Sequence, residues 1–177
     1  MRDKDQILLE TAYENVKYFH ANPRSDSEFN YGPVYHGGYW DGMKSILSRK
    51  GELGVGSYFT PSRELAISYA GNKGGYEGTG GGYLVEAFLN IKNPLKMEKG
   101  WKNYVDTFVK LGMDETKAKN MLERNNDRYG WPIGNELRKL GESKGYDCIF
   151  AYHNNELSEI VLWYPNQQLK VTKVEKV

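Results

Sequence analysis

Residues 54–70 read GVGSYFTPSRELAISYA, and this stretch passes from a strand pattern to a helix pattern within a few residues. Its first part, GVGSYFT, is a short aromatic run that begins with glycines, which predicts a strand. Ser62 then stands in the N-cap position of the segment RELAISYA, and we expect a helix that ends near Gly71. The other elements are interpreted around this strand–helix unit.

The segment before this unit is predicted to contain two helices and one strand. Apolar residues recur at steps of three and four from Asp5 to Phe19, which indicates an amphipathic helix, and a loop follows over residues 21–33. A first strand is expected near Val34 to Gly37, and a second helix from about Trp40 to Arg49. Residues 1–31 are thus an N-terminal helix and loop that pack on the domain.

The segment after the unit begins with seven glycines between Gly71 and Gly82, too many for a helix or a packed strand, and we expect a loop there. This loop either closes over a ligand or is a simple connection. A strand follows over Tyr83 to Asn90. Residues 99–145 are predicted to be a helical insertion in two or three pieces, broken at Gly112 and near Pro132. With ten Lys and Arg against seven Asp and Glu, this segment is mildly basic.

Two short apolar runs near the C-terminus, Asp147 to His153 and Glu159 to Tyr164, are joined by the polar residues HNNELS and predict a strand pair. Strands and helices do not alternate regularly along the chain, which favours an α+β fold over a doubly wound sheet. The 177 residues fit one domain, 1–177, because a second domain needs about 100 residues more.

The composition is that of a globular protein without a membrane segment. A hydrophobic content of 39% with 14% aromatics is enough for a packed interior. The apolar runs are far shorter than the ~18 residues of a membrane span, and the N-terminus lacks the apolar core of a signal peptide, so we expect a cytoplasmic protein. A net charge of +1 provides no global field for polyanions. The single cysteine, Cys148, has apolar neighbours and is interpreted as a core thiol.

Several common catalytic motifs are absent from the sequence. It contains no GxxxxGK[ST], no HExxH and no GxSxG, and the glycine run GTGGGY does not match GxGxxG. One cysteine and three scattered histidines, His20, His36 and His153, do not form a ligand set, so no metal is predicted. P-loop hydrolases and Rossmann dehydrogenases are therefore disfavoured.

Three segments form a more specific pattern when they are taken in order. They are VYHGG at 34–38, GSYFT at 56–60 with a second tyrosine at Tyr69, and EIVLWYPNQ at 159–167. Their order and spacing resemble the His-Tyr-Glu signature of ADP-ribosyltransferases of the diphtheria-toxin and poly(ADP-ribose) polymerase type, most of all the small phage and bacterial toxin members. The resemblance extends over about residues 34–171 and implies a split β-sheet core with flanking helices and a cleft for NAD.

The resemblance implies a role for each matching residue. His36 would donate a hydrogen bond to a ribose hydroxyl, and Gly37, which lacks a Cβ, would let the nicotinamide amide approach. Tyr58 and Tyr69 would stack on the two faces of the nicotinamide ring. Glu159 would bind the ribose 2′-hydroxyl and stabilise the positive charge that grows as the glycosidic bond breaks. The implied catalytic residues are Glu159, His36 and Tyr58, and the implied NAD-binding residues are His36, Gly37, Tyr58, Thr60 and Tyr69.

Glu156, three residues before Glu159, is the competitor for the role of catalytic carboxylate. Glu159 is favoured because the catalytic Glu of the family immediately precedes the apolar strand that leads to Pro165. Arginine-modifying relatives carry Glu or Gln two residues before the catalytic Glu, and Leu157 at that position disfavours arginine as the acceptor. No base for the acceptor is evident, although His153, Asn155 and Glu156 belong to the segment that usually faces it.

The sequence therefore predicts a mono-ADP-ribosyltransferase that cleaves NAD without a metal and modifies a protein or a nucleic acid. The resemblance also implies a setting of phage–host conflict and an antitoxin or inhibitor as a possible partner. Two alternatives use the same fold: an NAD glycohydrolase whose acceptor is water, and a non-catalytic NAD-binding module. An RNA 2′-phosphotransferase is disfavoured because Tyr35, Gly37 and Gly38 are not basic.

Overall fold

The computed structural model describes residues 28–40, 46–76, 82–125 and 131–177. The helix predicted over Asp5 to Phe19 lies outside the described residues. Within those four ranges, no helix is long and apolar enough to cross a membrane.

The described residues form eight strands and five helices. In chain order they are β1 Tyr31–Gly38, β2 Leu47–Gly51, β3 Gly54–Phe59, α1 Arg63–Tyr76, β4 Tyr83–Leu89, β5 Pro94–Glu98, α2 Trp101–Lys110, α3 Glu115–Arg124, α4 Trp131–Ser143, β6 Cys148–His153, β7 Glu156–Leu162, α5 Pro165–Gln168 and β8 Leu169–Lys176. This mixture without regular alternation is the α+β class expected from the sequence.

The strands form two sheets that meet at one backbone bridge. The smaller sheet has the order β1-β4-β8 and the larger the order β2-β3-β7-β6-β5. All neighbours are antiparallel except β5 and β6. Tyr35 of the smaller sheet and Thr60, next to β3, exchange two N–H to O=C hydrogen bonds of 2.8 Å each. The core is therefore split, and its two halves are tied together at this bridge.

Apolar side chains fill two layers, one on each face of the larger sheet. Between the sheets, Val85 of the smaller sheet packs with Phe59 and Ile160 of the larger one. On the other face, the strands pack against α2, α3 and α4 through residues such as Phe108 and Leu137, both fully buried. Alternate residues of a strand point to opposite faces, which is why β6 and β7 contribute to both layers. The helices of residues 101–143 thus complete the second layer.

Cys148 lies in the layer between the sheets and is fully buried. Burial, with a smaller contribution from Asp147, raises the pKa of its thiol far above the ordinary value. The interpretation as an inert core thiol is confirmed.

Several predicted elements are confirmed. The strand–helix unit is β3 followed by α1, and the Ser62 hydroxyl accepts a hydrogen bond from the Leu65 amide at 3.1 Å, as an N-cap does. The predicted C-terminal strand pair is β6 and β7. The helical segment consists of three pieces, and the first break contains Gly112 in the left-handed region at φ +97°.

Three predictions of local structure were wrong. Residues 47–49, placed at the end of a helix from Trp40 to Arg49, belong to strand β2, because this segment pairs with β3 and tertiary pairing outweighs local spacing. Strand β1 begins at Tyr31, inside the predicted loop, because Tyr31 pairs with Leu89 of β4. Helix α1 continues past Gly71 to Tyr76, since each glycine costs a growing helix only about 1 kcal/mol.

Candidate active site

A cleft opens at the Tyr35–Thr60 bridge, where the two sheets meet. Its cavity volume is about 160 Å³. Residues of β1, of the β2–β3 hairpin, of α1 and of β7 line it: Tyr35, His36, Gly37, Ser48, Gly51, Glu52, Tyr58, Phe59, Thr60, Ala66, Tyr69 and Glu159. All six site residues predicted from the sequence are among them. Segments more than 120 residues apart in the chain therefore converge on one cleft.

The imidazole of His36 is fixed by the neighbouring strand. Its Nδ1 atom lies 2.7 Å from the backbone oxygen of Tyr58, and its ring packs 5.8 Å from that of Phe59. A carbonyl oxygen only accepts hydrogen bonds, so Nδ1 carries the hydrogen. In the neutral form of the ring, Nε2 is then an acceptor, whereas the role implied by the resemblance, donation to a ribose hydroxyl, needs a hydrogen on the nitrogen that faces the ribose.

Gly37 lies directly under helix α1. A Cβ atom at this position would be 1.6 Å from the backbone oxygen of Ala66 and 2.9 Å from the backbone nitrogen of Ala70. The missing side chain is therefore required by the packing of α1 on β1. This steric reason exists without any ligand, whereas the resemblance gave only the approach of nicotinamide as a reason.

Helix α1 brings the second tyrosine to the cleft. Tyr69 is 42% exposed, so its ring is accessible to a ligand. The hydroxyl of Thr60 accepts a hydrogen bond from the Ser62 amide at 3.2 Å, in the turn that leads into α1. Thr60 thus lines the cleft and also helps to set the start of the helix that carries Tyr69.

Tyr58 has a structural role that the sequence did not indicate. Its hydroxyl donates to the backbone oxygen of Gly54 at 2.7 Å and accepts from the Leu53 amide at 2.9 Å, so it closes the β2–β3 turn. Burial, and to a lesser extent the Glu159 carboxylate, raises the pKa of Tyr58 well above the ordinary value. The phenol is neutral at physiological pH.

We expect Tyr58→Phe to lower the free energy of unfolding by about 1–2 kcal/mol, because the buried Leu53 amide would lose its acceptor. Urea denaturation of the purified variant measures this. Tyr69→Phe is the matched control, and its exposed hydroxyl should change the stability by no more than about 0.5 kcal/mol. Equal stability of the two variants would contradict the role of the Tyr58 hydroxyl in closing the β2–β3 turn.

Glu159 is held in the cleft by a lysine. Its Oε2 atom lies 3.0 Å from Nζ of Lys99, and its side chain is only 18% exposed. The same ammonium lies 3.1 Å from Oε2 of Glu52, whose Oε1 accepts a hydrogen bond from the Tyr104 hydroxyl at 3.3 Å. Burial alone lowers the pKa of Lys99, but the two carboxylates more than offset this and raise it above 10.5. Lys99 is therefore a stable cation between two carboxylates.

The structure separates Glu159 from its competitor Glu156. Glu156 is exposed at the start of β7, opposite His153, and is not among the residues that line the cleft. Leu157 packs against the layer between the sheets. Glu159 is three residues inside β7, not immediately before the strand as expected, because the pairing with β6 already begins at Glu156.

Glu52, Lys99 and Tyr104 were not predicted as site residues. Glu52 lies in a turn between two glycines, and Lys99 follows β5 and continues its pairing through a 2.8 Å hydrogen bond from its amide to the Tyr152 carbonyl. No local pattern marks either residue. Their positions depend on pairing with strands far away in the sequence. Once the structure shows that Lys99 is half-buried, its burial indicates that it has a charged partner.

One family model and two solved structures are similar to this chain. The family model described as "ADP-Ribosyltransferase in polyvalent proteins" matches residues 27–175. No curated protein matches the chain. Two solved structures are distantly similar. An anti-CRISPR protein has 20% identity over 82% of this chain and 95% of that chain, with a TM-score of 0.40. A chain of the M. tuberculosis MbcT–MbcA toxin–antitoxin complex has 12% identity over 92% and 91%, with a TM-score of 0.47.

The family match covers most of the chain, including every residue that lines the cleft. The chain belongs to the ADP-ribosyltransferase family found in polyvalent proteins.

Proposed function

We propose that the protein cleaves NAD at the bond between nicotinamide and ribose and transfers ADP-ribose to a macromolecular acceptor. The observation that carries this proposal is the convergence of Glu159 with His36 and Tyr69 in one cleft of a member of this family. NAD carries a positively charged nicotinamide ring on a ribose. A carboxylate, an imidazole and an accessible aromatic ring are the groups that would bind this part of NAD.

The chemistry of these side chains supports the proposal. The exposed ring of Tyr69 offers a flat face for the nicotinamide, and Nε2 of His36 is an acceptor for a ribose hydroxyl. As the glycosidic bond breaks, its electron pair leaves with the nicotinamide nitrogen, and positive charge develops on the ribose. The Glu159 carboxylate stabilises that charge, as carboxylates do in glycoside chemistry. Thr60 and Gly37 line the same cleft and complete the proposed NAD site.

The proposal extends to the partners and the setting. The acceptor is a protein or a nucleic acid, and the mildly basic segment 99–145 is compatible with either. An antitoxin or inhibitor that covers the cleft is a further proposed partner, in a cytoplasmic phage–host conflict. We further propose that residues 1–177 form one ADP-ribosyltransferase domain, of which the family model matches residues 27–175.

The experiment measures nicotinamide release from NAD labelled in its adenylate part, with and without a bacterial lysate. We expect the lysate to stimulate release and the label to appear on macromolecules, where protease and nuclease digestion distinguish protein from nucleic acid. Label found only in free ADP-ribose would indicate an NAD glycohydrolase. NAD binding without any nicotinamide release would indicate a non-catalytic module and would contradict the proposed function.

A further inference from the structure

The proposed transfer needs a group that the predicted site residues do not supply. An acceptor that attacks through an N–H or O–H group must lose a proton, and Glu159 is already assigned to the ribose. The residues expected near the acceptor, His153, Asn155 and Glu156, are at the β6–β7 turn and are not among the residues that line the cleft. The backbone N–H of Asn155 donates to Oε1 of Glu98 at 3.0 Å, which fixes this turn against β5. Among the described residues that line the cleft, the other carboxylate besides Glu159 is Glu52.

Glu52 is a second carboxylate in the same cleft, and it shares the ammonium of Lys99 with Glu159. It occupies the β2–β3 turn, which is closed by the two hydrogen bonds of the Tyr58 hydroxyl. The hairpin is also anchored from outside, where the Val55 amide donates to Oδ1 of Asn135 at 3.0 Å. Glu52 is therefore presented by a rigid turn, which is what a positioned proton acceptor requires.

The two carboxylates on Lys99 differ in their access to solvent. Glu159 has a side chain that is 18% exposed, whereas that of Glu52 is 55% exposed. A macromolecular acceptor must enter from the solvent side, so Glu52 is the carboxylate that it meets first. The shared ammonium lies within 3.1 Å of both carboxylates and offsets the repulsion between their negative charges.

We infer that Glu52 is the general base for the acceptor, an inference that rests on the proposed function. The acceptor's nitrogen or oxygen lone pair forms the new bond to ribose C1′, the bond to nicotinamide breaks, and its electron pair stays on the leaving nicotinamide. The acceptor's proton goes to the Glu52 carboxylate and from there to solvent. Lys99 stays protonated throughout and acts as a positioning residue. The acceptor class is a nucleophile with an N–H or O–H group.

The test compares wild type with Glu52→Gln, Glu52→Asp, Glu159→Gln and the control Glu123→Gln, an exposed position on α3. Each variant is assayed for nicotinamide release from NAD without lysate, and for transferred label with lysate, after its melting temperature has been checked. We expect Glu52→Gln to lower transfer by about 100-fold and to lower release without lysate by a much smaller factor. Glu52→Asp should restore part of the transfer, and Glu159→Gln should lose both activities.

Results that differ from these expectations would overturn the inference, and each would do so for a different reason. Equal transfer by wild type and a folded Glu52→Gln would show that Glu52 is not the base. Loss of release without lysate in both Glu52 variants would show that Glu52 acts on NAD and not on the acceptor. If the wild type released nicotinamide but transferred no label, there would be no transfer to a macromolecular acceptor, and the inference about Glu52 would be wrong while NAD cleavage would stand. A wild type without any release would overturn the proposed function, and this inference with it.

Discussion

Glu159→Gln is expected to reduce nicotinamide release from NAD by about 100- to 1000-fold, the largest loss of activity among single substitutions in the cleft. The amide has the shape of the carboxylate but no negative charge, so it cannot balance the charge that develops on the ribose. It also leaves Lys99 with only the Glu52 carboxylate. The fold and the binding of NAD should be retained, which calorimetry and thermal denaturation would check.

Glu156→Gln is the matched control for this variant. It makes the same change three residues earlier, at an exposed position outside the cleft lining, and should release nicotinamide like the wild type. If Glu156→Gln lost activity while Glu159→Gln kept it, the catalytic carboxylate would be Glu156, and the assignment based on the cleft would be wrong.

Gly37→Ala should have the largest effect on stability, lowering the free energy of unfolding by about 3 kcal/mol, the upper end of the usual cost of overpacking. The new Cβ would meet the backbone oxygen and carbon of Ala66 at 1.6 and 2.6 Å, and a helix backbone cannot yield as a flexible side chain does. Helix α1 would have to move away from β1, and Tyr69 would move with it. Urea denaturation together with the melting temperature measures the loss.

Gly71→Ala, in helix α1 itself, provides the comparison. A Cβ at Gly71 meets nothing within 4 Å, so this variant should be as stable as wild type or more stable by about 0.5–1 kcal/mol. A Gly37→Ala protein with the stability of Gly71→Ala would mean that α1 does not lie against β1 as described.

The strands that could be predicted from the sequence are mostly interior ones. Strands β3, β4, β6 and β7 are bordered on both sides, and their runs of apolar and aromatic residues are visible in the sequence. Strands β2, β5 and β8 were not predicted, and all three are at sheet edges. An edge strand has a partner on one side only and carries more polar residues, so its signal is weak and its pairing depends on distant residues.

The same distinction explains which site residues could be predicted. His36, Tyr58, Tyr69 and Glu159 lie in segments that match a known pattern, and the cleft contains all of them. Glu52 and Lys99 lie beside the edge strands β2 and β5, and their approach to Glu159 results from the order of strands in the larger sheet. That order is a tertiary property, and no spacing along the chain encodes it.

Because Cys148 is buried, the domain can be labelled with spectroscopic probes at a cysteine introduced elsewhere. It is the single cysteine of the chain, and its enclosed, protonated thiol offers no handle to maleimide or iodoacetamide reagents at neutral pH. A cysteine introduced at an exposed site such as Val109 would then be the one reactive thiol of the protein. A fluorophore or spin probe can therefore be attached at a chosen point without first removing a native residue, and the unmodified chain serves as the blank.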